Sequence, residues 1–350
     1  MTRRTAVFKH ELFLEHDPGY GHVESPDRLR VIYQALDGAV IRSRLLFPDF
    51  GPASEEVLAL NHTPDHIRRV KATAGKPFEA LDPDTHTSPR SWEAASLAAG
   101  AVVQALTMVV RGECDNACAL VRPPGHHAEA DHTSGFCLFN NVAVAARYGL
   151  THLGLQRILV VDWDIHHGNG TQHSFYDTDQ VLYFSTHQYP YFPGSGALGE
   201  TGRGKGEGYT VNVPLQGGQD DLAFARIFNE LLVPVAREYQ PECIIISAGY
   251  DIYVGDPLGT MGVTPAGFGY LTKVLVELAD ELCNGRVVLA LEGGYSFEGL
   301  AGGVLASLAE LVGEGGLAGE RLESFRRASG PLRALEQAKA VAKKYWTTLS

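Results

Sequence analysis

Six short segments of the sequence are apolar at almost every position and show no alternation with polar residues. These segments are residues 117–121, 158–161, 181–184, 209–213, 243–246 and 287–291. Continuous apolar runs of this length are typical of strands that are covered on both faces, as in a parallel sheet. We therefore predict six buried strands.

Five longer segments carry apolar residues at the helical period. They are residues 91–110, 141–149, 222–238, 264–282 and 296–312. Because strands and helices alternate along the chain, we predict an α/β fold with a mostly parallel central sheet flanked by helices. No internal repeat or linker interrupts the sequence, so we expect a single domain over residues 1–350.

Composition narrows the possible functions. Apolar residues make up 45% of the chain, which is enough for a large core without disulfide bonds. The net charge of −12 argues against direct binding to nucleic acid and mildly favours a cationic substrate. The 5 cysteines are odd in number and show no CxxC spacing, which suits a reducing compartment.

Residues 1–13 lack the apolar run and cleavage site of a signal peptide. No stretch approaches the roughly 20 apolar residues that a membrane helix needs. The expectation is therefore a cytoplasmic protein without a membrane span.

Polar residues follow five of the predicted strands abruptly. The segments concerned are residues 122–127 (RPPGHH), 162–170 (DWDIHHGNG), 185–187 (STH), 247–251 (SAGYD) and 292–295 (EGGY). In open α/β sheets, ligands bind beyond the carboxyl ends of the strands. We therefore expect these five segments to meet at one edge of the sheet and to form the functional site.

Asp164 and His166 are two positions apart just after a strand, and Asp251 follows another strand. Side chains two apart in extended backbone point the same way, so a carboxylate and an imidazole can reach one ion. Three protein ligands with an open position are typical of a catalytic zinc site. The Asp-x-His spacing alone fits a helix cap and a core histidine equally well, so the metal hypothesis depends on the neighbouring strand ends.

His126 and His127 are adjacent after a Pro-Pro-Gly turn. Two imidazoles beside a metal can deprotonate its water and later protonate a leaving amine. Asp162 and Asn169 are the natural partners to fix the tautomers of these rings. By itself a His-His pair is also consistent with a structural role or a second metal site.

Gly293 and Gly294 precede Tyr295, whose hydroxyl could donate to a developing oxyanion. An ordinary turn before a helix has the same sequence. Phe136 and Phe192 follow turns, and they could either line a narrow slot or pack in the core.

Together these residues resemble the histone deacetylase and acetylpolyamine amidohydrolase family, with its arginase-like α/β fold. The resemblance runs from about His16 to beyond Tyr295. Five motifs occur in the family's order, at residues 122–129 (RPPGHHAE), 135–141 (GFCLFNN), 162–172 (DWDIHHGNGTQ), 247–251 (SAGYD) and 291–295 (LEGGY).

The resemblance implies one catalytic Zn²⁺ per chain, bound by Asp164, His166 and Asp251. It implies that His127 is the main proton shuttle and that His126 helps to hold the water and the charge.

The remaining catalytic roles follow from the same resemblance. Asp162 would pair with His126, Asn169 would orient His127, and Tyr295 would stabilise the oxyanion. Some branches of the family have Asp at the position of Asn169, and Asn there resembles the class II branch.

Substrate contacts are implied at Asp84, Gly135, Phe136, Phe192, Leu258, Gly293 and Gly294. Phe136 and Phe192 would enclose the acyl-lysine stem, and Asp84 would accept hydrogen bonds from the substrate backbone at the rim. Arg28 corresponds to an arginine linked to an acetate exit path.

Structural potassium is also implied by the resemblance. One site would use Asp162, Asp164, His166, Ser185 and Thr186, and a second would involve Phe175, Thr178 and Val181.

The expected reaction is metal-assisted hydrolysis of the acetyl amide of an acetyl-lysine in a protein or peptide, or of another acetylated amine. In the family's acetylpolyamine-selective branch an acidic residue stands at the rim position of Leu258, so Leu258 favours acetyl-lysine over acetylated polyamines. The oligomeric state is open.

Two other functions have to be weighed against the deacetylase. A two-manganese ureohydrolase needs carboxylates where this chain has Gly168 and Gly249, which disfavours it. A catalytically silent acetyl-lysine binding module would be expected to lack Tyr295 or one of the histidines, and all are present.

Overall fold

The computed structural model describes residues 3–349. Its strands, in chain order, are β1 (Thr5–Phe8), β2 (Leu45–Leu46), β3 (Glu79–Ala80), β4 (His86–Thr87), β5 (Asn116–Ala119), β6 (Ile158–Asp162), β7 (Val181–Gln188), β8 (Thr210–Leu215), β9 (Cys243–Ala248) and β10 (Val287–Leu291). Eight of them form one sheet in the order β2-β1-β5-β10-β9-β6-β7-β8, and β3 pairs with β4 in a separate hairpin. Every pairing in the large sheet is parallel.

Twelve α-helices surround the sheet in the described part of the chain. They are α1 (Asp27–Gly38), α2 (Glu55–Leu58), α3 (Pro64–Lys71), α4 (Ser91–Val110), α5 (Asn141–His152), α6 (Asn169–Phe175), α7 (Asp221–Ile227), α8 (Val233–Tyr239), α9 (Pro265–Leu282), α10 (Phe297–Val312), α11 (Gly319–Arg326) and α12 (Arg333–Ala342). A π-helical turn, Phe228–Leu232, joins α7 to α8. The predicted α/β fold with a mostly parallel sheet is confirmed.

The central strands are buried along their whole length. Every residue of β5, β6, β9 and β10 is buried, as expected for strands with helices on both faces. All six predicted strands are present, with ends shifted by a few residues. Strand β2, at one edge of the sheet, and its neighbour β1 were not predicted from the sequence.

Helix α4 (Ser91–Val110) corrects one expectation. By length and composition it could cross a membrane, so the statement that no stretch approaches such a length was wrong. In the structure 72% of its most apolar window is buried inside the protein, where the helix packs on α5 and β5. This burial is what the core helix of a globular fold shows.

The strand register aligns the carboxyl ends at the centre of the sheet. Asp162 at the end of β6 is level with Ser185 on β7 and with Ser247 on β9. Leu291, the last residue of β10, is level with Ala248, the last residue of β9. The segments that follow β6, β9 and β10 therefore start from one edge of the sheet.

Candidate active site

Three buried side chains, those of Asp164, His166 and Asp251, converge beyond the ends of β6 and β9, and their potential ligand atoms all lie within 4.8 Å of one another. His166 Nδ1 is 3.1 Å from Asp164 Oδ1 and 3.3 Å from Asp251 Oδ2. Asp164 and His166 lie in a bend, not in the extended backbone that we expected. The N–H of His166 donates to Asp164 Oδ1 at 2.9 Å, and this local bond stabilises the bend.

The chemistry of this cluster fits a divalent cation. Asp251 Oδ2 is buried without a hydrogen-bond partner. Burial and the nearby Asp164 carboxylate raise the pKa of Asp251 to about 7, which a cation between the carboxylates would reverse. Two carboxylates and an imidazole nitrogen are ligands that zinc accepts. Within residues 3–349 no other group of three His, Cys, Asp or Glu side chains comes together in this way.

Two glycines near the cluster leave no room for a larger side chain. A Cβ at Gly249 would collide with the Asp164 carboxylate, and one at Gly168 would collide with the Asp162 carboxylate. These are the positions at which a two-manganese ureohydrolase would need further acidic ligands. The geometry therefore disfavours that alternative for steric reasons as well.

His126 lies beside the cluster and faces two carboxylates. Its Nδ1 is 3.1 Å from Asp162 Oδ2, and its Nε2 is 3.8 Å from Asp164 Oδ1. Burial opposes a charge on the ring, but Asp164 and Asp162 outweigh it and raise the pKa of His126 to about 10. The hydroxyl of Tyr183 also donates to Asp162 Oδ2, at 2.9 Å, and holds that carboxylate in place.

His127 has the opposite electrostatic environment. Its Nδ1 is 2.7 Å from Asn169 Oδ1, and the ring centroids of His126 and His127 are 4.0 Å apart. Burial and the charges of His126 and His166 lower the pKa of His127 well below its usual value. A neutral imidazole with one unprotonated ring nitrogen can act as a general base.

The ring of His127 is enclosed by the loop that follows it. Gly135 has a φ of +54°, and a Cβ there would collide with the His127 ring, so only glycine fits. Phe136 has a φ of +70°, a backbone region that an aromatic residue rarely adopts. Strain of this kind persists where the surrounding structure imposes it, and it is frequent in functional sites.

A cavity of about 260 Å³ lies next to the cluster and exposes His126, His127 and His166 on its wall. Its lining residues are Asp84, Pro124, His126, His127, Gly135, Phe136, His166, Tyr191, Phe192, Leu258, Gly293 and Tyr295. It opens at the surface, since Tyr191 and Phe192 are 37% and 43% exposed. Pro124 and Tyr191 had not been singled out from the sequence.

Tyr191 links the metal cluster to the rim. Its ring stacks on His166 with centroids 5.6 Å apart, and its hydroxyl donates to the Leu258 carbonyl at 3.1 Å. On the opposite wall Phe136 packs edge-on against Tyr295 at 6.1 Å. The ring of Phe192 meets His127 edge-on at 5.1 Å.

Arg28 lies behind Tyr295, and it is fully buried. Its guanidinium carbon is 4.9 Å from the Tyr295 ring centroid, and Nε donates to the Gly294 carbonyl at 2.7 Å. Gly294 thus contacts Arg28 and does not line the cavity. Glu24 pairs with Arg28 at 3.0 Å and with Arg122 at 2.7 Å, so the two cations share one carboxylate.

Glu292 binds the backbone of the loop that carries His126 and His127, a role that the sequence did not indicate. Its Oε2 accepts the backbone N–H groups of Gly125 at 2.6 Å and His126 at 3.1 Å, and Oε1 accepts from the Ser247 hydroxyl at 3.0 Å. Its partners are mainly backbone groups, which leave no trace in a sequence pattern. The only available signal was a carboxylate at the end of an apolar strand.

The residues predicted for the first potassium site lie together around the end of β6. Asp162 is level with Ser185, and the neighbouring Thr186 Oγ1 is buried without a hydrogen-bond partner. In the second predicted site the N–H of Thr178 donates to the Phe175 carbonyl at 3.3 Å, and Val181 begins β7. Potassium binding at both sites stays a prediction.

Comparison with known proteins identifies relatives along most of the chain. A sequence model of the Histone deacetylase domain matches residues 22–311. Histone deacetylase 18 of Arabidopsis thaliana is 41% identical over 95% of this chain and 51% of its own length. A Probable deacetylase of Archaeoglobus fulgidus is 40% identical over 84% of this chain and 82% of its own length.

Human Polyamine deacetylase HDAC10 is 40% identical over 93% of this chain and 50% of its own length. The chain therefore spans about half the length of several curated relatives that it matches. Among solved structures, the crystal structure of the HDA15 HD domain superimposes with a TM-score of 0.91 at 36% identity. That alignment covers 100% of this chain and 97% of the other.

Proposed function

Because this chain belongs to the histone deacetylase family, as its motifs predicted, we propose that it is a zinc-dependent deacetylase acting on acetyl-lysine. The observation that carries the proposal is that His126, His127, His166 and Tyr295 line one cavity of about 260 Å³. His166 is also a member of the buried Asp164–His166–Asp251 cluster, which places that cluster at the cavity.

In this proposal Asp164, His166 and Asp251 hold the ion. When bound, Zn²⁺ would supply Lewis acidity for the acetyl carbonyl and would lower the pKa of a coordinated water. The protein keeps the two carboxylates oriented through backbone donors. The N–H of Gly293 donates to Asp164 Oδ2 at 2.9 Å, and the N–H of Ile165 donates to Asp251 Oδ1 at 2.8 Å.

His127 acts as the general base and then as the general acid. Its Nδ1 faces the Asn169 carbonyl oxygen and carries the fixed proton, so Nε2 takes a proton from the attacking water. The same Nε2–H then donates to the nitrogen of the leaving amine. His126, paired with Asp162, provides positive charge next to the reacting groups.

Tyr295 acts on the carbonyl oxygen. Burial raises the pKa of its hydroxyl well above the usual value, although the Arg28 charge opposes the shift, so the hydroxyl stays protonated and can donate. A donor aimed at a developing oxyanion typically contributes about 3–4 kcal/mol of transition-state stabilisation.

The slot between Phe136 and Phe192 fits an unbranched apolar stem, such as the methylene chain of acetyl-lysine. Leu258 at the rim offers no charge to a second ammonium group, which favours an acetyl-lysine peptide. Acetylated polyamine is the second candidate, since a human relative is named a polyamine deacetylase and the net charge is −12.

The decisive experiment measures acetate release from an acetyl-lysine peptide and from an N-acetylated polyamine, with zinc present and after chelation. We expect zinc-dependent release, with a higher kcat/KM for the peptide. No release from either substrate would refute the proposal. Binding of the peptide without release would identify a silent binding module, and a preference for the polyamine would replace the substrate assignment.

A further inference from the structure

A chain of hydrogen bonds leads from His127 to the protein surface through residues that do not line the cavity. Asn169 Oδ1 is 2.7 Å from His127 Nδ1, and Asn169 Nδ2 donates to Glu129 Oε1 at 2.6 Å. His173 Nδ1 lies 2.9 Å from the same Glu129 oxygen. The His173 side chain is 53% exposed, while that of Glu129 is only 13% exposed.

Local structure explains why these groups meet. Asn169 is the first residue of α6, and His173 follows one helical turn later, so both point to the same side. Glu129 lies two residues after His127, and the N–H of Glu129 donates to the His132 carbonyl at 3.0 Å. The carboxylate is therefore fixed between the helix and the His-His loop.

The Glu129 carboxylate decides how the Asn169 amide is oriented. A carboxylate only accepts hydrogen bonds, so the amide must present its NH₂ group to Glu129. The same NH₂ group also lies 3.3 Å from the His127 carbonyl oxygen, which is a second acceptor. The amide oxygen is then left to face His127 Nδ1, and it can only accept.

We propose that Glu129 is a positioning residue for the deacetylation: by fixing the orientation of Asn169 it keeps the proton of His127 on Nδ1 and leaves Nε2 free as the base. This inference rests on the proposed function. His173 takes part by holding the carboxylate in place. Its hydrogen bond with Glu129 raises the pKa of His173, as expected for a cation paired with that carboxylate.

The pairing also explains why an amide, not a carboxylate, suits position 169 in this chain. Aspartate at 169 would put two carboxylate oxygens at the 2.6 Å now spanned by the Asn169–Glu129 hydrogen bond. Two like charges at this distance repel strongly unless they share a proton. Glu129 and Asn169 therefore act as a matched pair.

The first test compares Glu129→Ala with Glu242→Ala. Glu242 immediately precedes β9, at the end of the sheet opposite to the carboxyl ends of the strands. Its partly exposed carboxylate accepts the backbone N–H groups of Gln156 and Arg157. We expect E129A to lower kcat about tenfold with KM changed less than about twofold, because an orienting hydrogen bond is lost while the cavity wall stays intact. E242A should keep the wild-type kcat. An unchanged kcat in E129A would contradict the proposal.

A charge exchange provides the sharper test. Asn169→Asp should lower kcat by at least about tenfold, since it places a carboxylate against Glu129. The double variant Glu129→Gln with Asn169→Asp restores an amide–carboxylate pair with the roles reversed. It should recover to within about fivefold of wild type. A double variant no better than N169D would show that the two residues do not act as a pair.

A third measurement does not depend on turnover. Imidazole ¹⁵N NMR distinguishes a protonated from an unprotonated ring nitrogen, and the His127 signals can be assigned by their loss in His127→Gln. We expect Nδ1–H in the wild type and a mixture of tautomers in E129A. If wild-type His127 shows Nε2–H, the positioning role is wrong. If the tautomers behave as expected but no acetylated amine is hydrolysed, only the proposed function fails.

Discussion

The backbone N–H of Tyr295 donates a 2.7 Å hydrogen bond to Oδ2 of Asp256. The same oxygen accepts from the N–H of Ser296 at 2.9 Å, and Oδ1 accepts from the N–H of Leu258 at 2.9 Å. One buried carboxylate therefore joins the loop that carries Tyr295 to the loop that carries the rim residue Leu258.

Asp256→Asn should lower both stability and activity. Both oxygens of Asp256 accept hydrogen bonds, but asparagine has only one oxygen. Its NH₂ group would have to face either the N–H of Leu258 or those of Tyr295 and Ser296, and those hydrogen bonds would be lost. We expect the free energy of unfolding to fall by about 2 kcal/mol. We also expect kcat to fall about tenfold, because Tyr295 loses its fixed position. Chemical denaturation and steady-state kinetics measure the two effects.

The control for this variant is Asp220→Asn. Asp220 also accepts two backbone N–H groups, those of Leu222 and Ala223, where it caps α7. Both of these N–H groups bind Oδ1, so the amide oxygen of D220N can keep them, and the variant should change stability by less than about 1 kcal/mol and leave kcat unchanged. If D256N retained the wild-type kcat, the link between the two loops would have no bearing on catalysis.

Tyr295→Phe tests the oxyanion donor directly. The substitution removes only the hydroxyl, so the packing of the ring against Arg28 is kept. We expect kcat to fall by about 10²–10³-fold with unchanged zinc content. Tyr191→Phe is the matched control, since Tyr191 also lines the cavity but donates to the Leu258 carbonyl. An equal fall in kcat for the two variants would show that Tyr295 is not the specific oxyanion donor.

The sequence predicted the centre of the sheet better than its edge. Strands β6, β9 and β10 are continuous apolar runs because helices cover both faces. Strand β1 has only four residues, and Arg3, Arg4 and Lys9 flank it closely. A run this short between charges does not stand out from a loop, so its place in the sheet is visible only in three dimensions.

Two residues of the site that were not predicted from the sequence act through hydrogen bonds with backbone groups. Glu292 and Asp256 both accept backbone N–H groups from segments distant in sequence. Almost every residue has a backbone N–H group, so the pattern of residue types does not indicate which of these groups a distant carboxylate will bind. Glu24 meets Arg122, which lies 98 positions further along the chain, and spacing gives no hint of such a contact.

Asp251→Asn tests the metal assignment. The variant removes one of two adjacent buried carboxylates, and Asp251 Oδ2 has no hydrogen-bond partner that would be lost. We expect elemental analysis to find far less zinc than in the wild type. Added zinc should raise the Tm of the wild type and leave that of D251N unchanged, since a ligand stabilises only a fold that binds it. Equal zinc content in both proteins would refute the assignment.

Leu258→Glu tests the basis of substrate choice. Leu258 lies at the rim of the cavity, and its carbonyl is held by the Tyr191 hydroxyl, so the backbone position should be kept. A carboxylate there would attract the distal ammonium of an acetylated polyamine, an effect worth up to about 1 kcal/mol for an exposed ion pair. We expect the ratio of kcat/KM for polyamine over peptide to rise about fivefold. Leu258→Gln controls for size, and an unchanged ratio in L258E would contradict the idea.

Glu24→Gln is expected to be the most destabilising of these substitutions. The Glu24 side chain is fully buried between Arg28 and Arg122, so its neutralisation leaves two buried cations short of a counter-charge. A loss of about 3–5 kcal/mol in the free energy of unfolding is typical when one partner of a buried ion pair is removed. Asp27→Asn is the control, because Asp27 pairs with Arg30 at the exposed surface of α1 and should cost less than about 1 kcal/mol.

The loss in the free energy of unfolding caused by Glu24→Gln should also depend on pH. Burial alone would raise the pKa of Glu24, but Arg122, His16 and Arg28 outweigh it and hold the pKa well below its usual value of 4.5. The stabilisation is therefore present above that value and is lost as the pH falls towards the folded-state pKa. Below a pH of about 4.5, the gap between wild type and E24Q should narrow by about 1.4 kcal/mol per pH unit. A gap that stays constant down to the acid unfolding of the wild type would show that Glu24 is not the charged partner of the two arginines.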